Sequence, residues 1–315
     1  MKKEVAMEFN QFIVKIKTAI QQYVGEEAVV SLNHVTKNNG VILEGISITR
    51  KDNNISPTIY LNHFYETYEN GTSFGKTVQD IITVYKKNEI SENVNMDFFT
   101  DYSKARKKIA YKLINYDKNR DLLQFIPHVK YLDLAIVFYC IVINERIGNA
   151  SILIHNRHCK MWDITWEELF AIAKENTPRL LPDEIRNMKD IIQQIISEDD
   201  ESAEPSAFVT DYESSYSEGK MAPMYVLSNH TKVNGAACIL YPNVISNFAE
   251  NLQKDIYILP SSIHEVILIP VDDSDHSLEL NNMVQEVNMT QVDDEEVLAD
   301  HAYYYTRVSR QIIQI

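Results

Sequence analysis

The stretch Ala28–Thr49, AVVSLNHVTKNNGVILEGISIT, decides the fold. Two β-branched runs, Ala28–Val35 and Val41–Thr49, flank Lys37-Asn38-Asn39-Gly40, and Asn-Gly supplies the positive φ angles of a tight turn. The stretch therefore predicts a β-hairpin. Upstream, Val5, Phe9, Phe12, Ile13, Ile16 and Ile20 recur at three- and four-residue spacing, which gives a helix over Lys3–Tyr23 one apolar stripe to lay on that hairpin. Downstream, Pro57–Leu61 reads as a third extended segment. Asn62–Glu69 and Ser73–Lys87 read as helices, the second with Val78, Ile81, Ile82 and Tyr85 on one face.

The rest of the chain continues the same mixture. Ile109–Asn115, Lys130–Ile143 and Ser151–His155 read as strands, and Thr165 with Glu168 three residues on forms a capping box that opens a helix to Lys174. Ser197–Gly219, SEDDESAEPSAFVTDYESSYSEG, is acidic, serine-rich and without apolar period, so it offers too little surface to offset the entropy of ordering. Beyond it come strands Met224–Ser228 and Ala236–Leu240, helix Pro242–Leu252, strands Ile256–Leu259 and Glu265–Ile269, helix Leu278–Val287 and strand Tyr303–Val308. The expected fold is α+β, with mixed or antiparallel sheets and packed helices. Residues 1–197 form the larger N-terminal domain, 198–220 an acidic linker, and 221–315 a smaller domain of order β-β-α-β-β-α-β.

Composition narrows the function. Asp and Glu number 45 against 30 Lys and Arg, a formal charge of −15, which repels phosphate backbones and anionic lipid. Neither nucleic acid nor membrane is an expected partner. The one tight basic cluster, Lys104, Arg106, Lys107 and Lys108, reads as a solvated helix face. The longest apolar run, Leu134–Ile143, is half the ~20 residues a bilayer-spanning helix needs, so it is expected to be a buried strand. The opening MKKEVAMEF lacks the continuous apolar core of an export signal, and Cys140, Cys159 and Cys238 form no CxxC pair. A reducing, cytoplasmic setting is expected.

Six stretches together resemble a bacterial family known as domain of unknown function 5688, found mainly in anaerobic Gram-positive bacteria. They are VTKNNG (Val35–Gly40), PTIYLNHFYETYENG (Pro57–Gly71), KLINYDKN (Lys112–Asn119), NTPRLLP (Asn176–Pro182), NGAACILYP (Asn234–Pro242) and LPSSIHEVILIP (Leu259–Pro270). They span nearly the whole chain. The resemblance implies a cytosolic bacterial protein and carries over no site residue.

Three stretches invite a chemical reading. Gly71–Thr77, GTSFGKT, is one residue short of the phosphate-loop spacing GxxxxGK[ST] and follows a helix-like segment instead of a strand, so a Gly-rich turn into a helix explains it equally well. His155, His158 and Cys159 are ligand types that a borderline-soft metal accepts, yet no second ligand cluster accompanies them, and turn histidines are the default. Ser262 and His264 fall on one face if their segment is extended, with Glu265 or Asp255 as an orienting acid. There is no GxSxG elbow, and position 268 is Leu where HExxH needs a histidine. The bland alternative is a serine-capped turn with His264 at a sheet edge.

With no complete catalytic motif and no cofactor motif, the residues point first to a cytoplasmic binding or regulatory protein. Its acidic surface suits protein partners, and Tyr60–Tyr65 and Tyr303–Tyr305 supply rings of the kind enriched at interfaces. A hydrolase centred on Ser262 and His264 is the enzyme alternative. The charge balance and the Ser197–Gly219 run motivate a third, an acidic inhibitor that mimics nucleic acid.

Overall fold

A computed structural model describes residues 7–50, 56–89, 97–144, 148–198, 223–260, 262–272 and 277–315. The chain is α+β, with three sheets whose strand pairs are all antiparallel among the described residues. It divides into two compact units, Met1–Phe98 and Phe99–Ile315.

In the first unit the hairpin forms as its sequence dictates. Strands β1 (Ala28–Thr36) and β2 (Ile42–Arg50) pair from Ala28↔Arg50 to Thr36↔Ile42, and the turn holds Asn39 at φ 60° and Gly40 at φ 72°. Strand β3 (Thr58–Tyr60) adds to β2. The helix Phe9–Val24 buries Phe12, Ile13, Ile16 and Ile20 against Val30, Ile46, Ile48 and Ile59, and Ile81, Ile82 and Tyr85 of the helix Phe74–Asn88 complete that core. Each such side chain stabilises by about 1.5–3 kcal/mol relative to exposure, so the stripe is what holds helix to sheet. Gln21 fixes the join: its Nε2 donates to the Gly25 and Ala28 carbonyls, and its Oε1 accepts the Val30 N–H at 3.0 Å.

The second unit contains two sheets. In the smaller, the long strand β6 (Leu134–Asn144) pairs with β4 (Ile109–Asn115) along one edge. The register then places β5 (His128–Tyr131) and β7 (Gly148–Leu153) in line along the other. The apolar run Leu134–Ile143 is thus the strand expected of it, and no helix among the described residues is long and apolar enough to cross a membrane. The larger sheet runs β13-β12-β10-β11-β9-β8. Its strands are β8 (Asp183–Asn187), β9 (Tyr225–Asn229), β10 (Ile256–Leu259), β11 (Val266–Pro270), β12 (Tyr303–Thr306) and β13 (Gln311–Gln314). One face carries Tyr257, Leu259 and Ile269 and is covered by Ile192 of the helix Met188–Glu198 and by Leu280 and Val284 of the helix Ser277–Thr290. The opposite face, with Ile256, Ile258 and Leu268, is buried as well, and Tyr303 from it donates to Asp133 in the β5–β6 turn at 2.9 Å.

The structure departs from the expected elements in several places, and the run Lys130–Ile143, expected as one strand, breaks at Leu132–Asp133 between β5 and β6. Ala236–Leu240 is not a strand but part of a 3-10 turn, Gly235–Leu240, packed on β4 and β9 with Gly235 to Ile239 buried. A short, fully apolar run has no period that separates the two conformations. The two compact units divide after Phe98. The expected linker, 198–220, lies outside the described residues except for Glu198. Strand β8, which precedes that run, pairs with β9, which follows it, so one sheet draws on both sides. DEIRN has too few apolar residues to announce a strand.

Candidate ligand cavity

A cavity of about 300 Å³ opens in the second unit, at the low end of the ~300–1,000 Å³ of ligand pockets. Its walls come from β6 and β7, from the C-terminal end of the helix Trp166–Leu180, and from the loop His230–Asn234 that leaves β9. Ile141, Leu180, Leu181 and Val233 make them mainly apolar, while Lys108, Tyr139, His230 and Asn234 bring polar groups. Burial pushes the Tyr139 phenol up to about 12, against which the Asn234 amide, bonded to it, pulls the other way.

The helix that supplies one wall is anchored from its own sequence. Thr165 accepts the Glu168 N–H and Glu168 accepts the Thr165 N–H at 2.9 Å, the expected capping box. At its far end Asn176 Nδ2 donates to the Arg106 and Ile109 carbonyls, and Thr177 Oγ1 accepts the Tyr111 N–H at 3.0 Å. These bonds tie the helix to β4 and so fix Leu180 and Leu181.

Asn234 stands in the left-handed region at φ 56°, the conformation that begins the 3-10 turn. Its N–H donates to His264 Nδ1 at 3.1 Å, and His264 Nε2 lies 3.2 Å from Glu296 Oε1. With Nδ1 accepting, the ring proton sits on Nε2 and donates to the carboxylate. Gly235 follows, and it must be glycine for space. A Cβ there would come closer than 3.0 Å to Ser228 Oγ, the His264 carbonyl oxygen and the Asn229 nitrogen. Ser228 Oγ donates to that same carbonyl at 2.8 Å. Deeper in, Tyr111 and Tyr241 pack edge to face at 6.2 Å, and Tyr241 donates to the Leu181 carbonyl at 2.9 Å. The buried Cys238 thiol beside them is pushed up to about 12, so it stays protonated and inert.

The residues singled out by sequence take these places. Ser262 is buried, but its Oγ accepts the backbone N–H of His264 at 3.0 Å, and no hydrogen bond joins it to an imidazole among the described residues. The segment is a turn, closed by the Ser262 N–H on the Glu265 carbonyl at 3.3 Å, so the two side chains do not share a strand face. Asp255 is engaged elsewhere, by the Tyr304 hydroxyl at 2.8 Å and the Arg307 N–H at 2.9 Å. The carboxylate that meets His264 is Glu296, which nothing in its acidic surroundings distinguishes.

His155 precedes the helix Asn156–Trp162 and donates its N–H to His158 Nδ1 at 3.0 Å. Burial first, and Arg157 second, hold both imidazoles below their ordinary range, while burial raises the Cys159 thiol. Among the described residues no group of three or more His, Cys, Asp or Glu side chains could hold a metal. In Gly71–Thr77, Ser73 caps the helix that follows by accepting the Lys76 N–H, and Lys76 pairs with Asp80 at 2.7 Å. That segment follows the helix Asn62–Glu69 instead of a strand. Of the basic cluster, Lys108 lines the cavity, a placement its neighbours Lys104 to Lys107 gave no reason to expect.

Fold and cavity together define an α+β protein with an apolar-walled chamber framed by a 3-10 turn. The chain belongs to the family of unknown function DUF5688, whose model matches residues 9–307. No curated protein and no solved structure matches it. Asn176–Pro182 and Asn234–Pro242, two of the stretches that carry the family resemblance, line this chamber, and His264 of a third supports it from behind.

Proposed function

We propose that this protein is a cytoplasmic binding protein whose chamber takes a small amphipathic organic anion, a monocarboxylate with a branched or aryl body. The observation that carries the reading is the lining. Ile141, Leu180, Leu181 and Val233 suit an apolar body, and Lys108 and His230 bring cationic or proton-donating groups to the same concave space. A local positive site on a chain of charge −15 favours a small anion over a polyanion, because the wider surface repels the latter. The acidic surface supports a protein partner as the reader of the occupied state.

Isothermal titration with a panel of aryl and branched-chain carboxylates and their primary amides tests this reading. Acids are expected to bind at least about tenfold more tightly than amides, the scale of one charge-assisted hydrogen bond. Lys108→Met should erase most of that preference. Equal affinity for acid and amide, or no binding by any member, would overturn the reading.

A further inference from the structure

We infer that the second unit carries a separate site for a small phosphomonoester, in a cavity of about 590 Å³ bounded by Tyr131, Tyr241, Tyr305, Arg310 and the N-terminus of the helix Val244–Leu252. Its lining has no residue in common with the chamber described above, and the two adjoin through the Asn234–Tyr241 segment.

Four features converge there. Tyr305 is 4% exposed, and β12 turns it to the same face as Tyr303, yet its hydroxyl makes no hydrogen bond to any described residue. The oxygen itself is not sealed from solvent, so in this cavity the phenol can donate to an acceptor that enters. Tyr131, at the end of β5, likewise keeps an unbonded hydroxyl among the described residues.

The helix N-terminus supplies backbone donors. Asn243 precedes it at φ 64° without a side-chain cap, and the first intrahelical bond runs from the Asn247 N–H to the Asn243 carbonyl at 2.9 Å. The N–H groups of Ile245 and Ser246 therefore have no intrahelical acceptor, and both residues line the cavity. Aligned N–H groups and the positive end of a helix are suited to a phosphate. Arg310 completes the set from the β12–β13 turn, with its guanidinium in no ion pair among the described residues.

The chemistry selects the ligand class. A dianionic phosphate has enough acceptor oxygens for two phenols, two backbone N–H groups and a guanidinium, whereas a carboxylate has two oxygens. The remaining volume, bordered by Tyr241, Asn243 and Gln311, suits a polar body such as a sugar.

The test is a titration of the full chain followed by 31P NMR and calorimetry, with inorganic phosphate, ribose 5-phosphate and AMP as probes and ribose as the control. Ribose 5-phosphate or AMP should bind and ribose should not. Stronger binding of the esters than of inorganic phosphate would show that the body contributes. Tyr305→Phe keeps the packing, and Arg310→Asn keeps a residue that tolerates positive φ. Each is expected to weaken binding by about tenfold while the thermal midpoint stays unchanged. Absence of binding by all three phosphates, or undiminished affinity in both variants, would overturn the inference.

Discussion

His264 Nδ1 accepts the backbone N–H of Asn234 at 3.1 Å, so an imidazole caps the turn on which the chamber wall is built. Replacing His264 with Ala leaves that N–H without its acceptor, a loss of about 1–3 kcal/mol. His264→Asn places an amide oxygen near the Nδ1 position and should recover at least half of the loss. Urea denaturation of the two variants beside the parent measures it. Equal destabilisation by Ala and Asn would show that the bond contributes nothing.

Glycines in two of the motifs should respond oppositely to alanine. Gly235→Ala forces a methyl against Ser228 Oγ and two backbone atoms, and the expected cost exceeds about 3 kcal/mol or prevents folding of the second unit. Gly75, inside the helix Phe74–Asn88, has nothing within 4 Å of its Cβ position, so Gly75→Ala should stabilise by up to about 1 kcal/mol. A Gly75→Ala protein that loses stability would reopen the phosphate-loop reading of Gly71–Thr77. Melting curves of both variants decide the matter.

The lowered imidazoles of His155 and His158 make stability depend on pH in one direction. Protonation is easier in the unfolded chain, where the ordinary value is 6.5. Their contribution is therefore intact above that pH and declines as pH falls from 6.5 towards the lower folded values. His158→Asn retains an acceptor for the His155 N–H and removes one of the two titrations. A plot of unfolding free energy against pH should then fall less steeply on the acid side, and an unchanged slope would contradict the assignment.

All three cysteines are buried, and burial raises each thiol, Cys140 to about 11 and Cys238 to about 12. Native protein at neutral pH should react with a disulfide reagent such as DTNB only on the timescale of unfolding. Three thiols should then appear in denaturant. Rapid release of one equivalent from native protein would place a cysteine at the surface.

Much of the architecture was legible because it rests on local patterns. The stripe Phe12, Ile13, Ile16 and Ile20, the Asn39-Gly40 turn and the Thr165–Glu168 box each specify their element within a few residues. What stayed hidden depends on distant pairing. DEIRN becomes β8 only because β9 offers it an edge, and Ala236–Leu240 winds into a 3-10 turn because Asn234 adopts a positive φ and Gly235 is wedged among Ser228, Asn229 and His264. The site shows the same split. His264 was visible as a chemically able residue, but its partners Asn234 and Glu296 lie 30 and 32 positions away, and no spacing rule reaches across such intervals. Lys108 read as one of four similar charges, and only the packing of β6 against the Leu180 end of the helix selects it.

The pairing of β8 with β9 also sets how the polypeptide would tolerate being severed. From Asp183↔Asn229 to Asn187↔Tyr225 the ladder stitches residues preceding position 198 to residues following position 223, without any need for the intervening peptide bond. A nick between those positions should leave a two-piece particle that purifies as one species. Expressed by itself, 221–315 would instead present the bare rim of β9, an invitation to self-association.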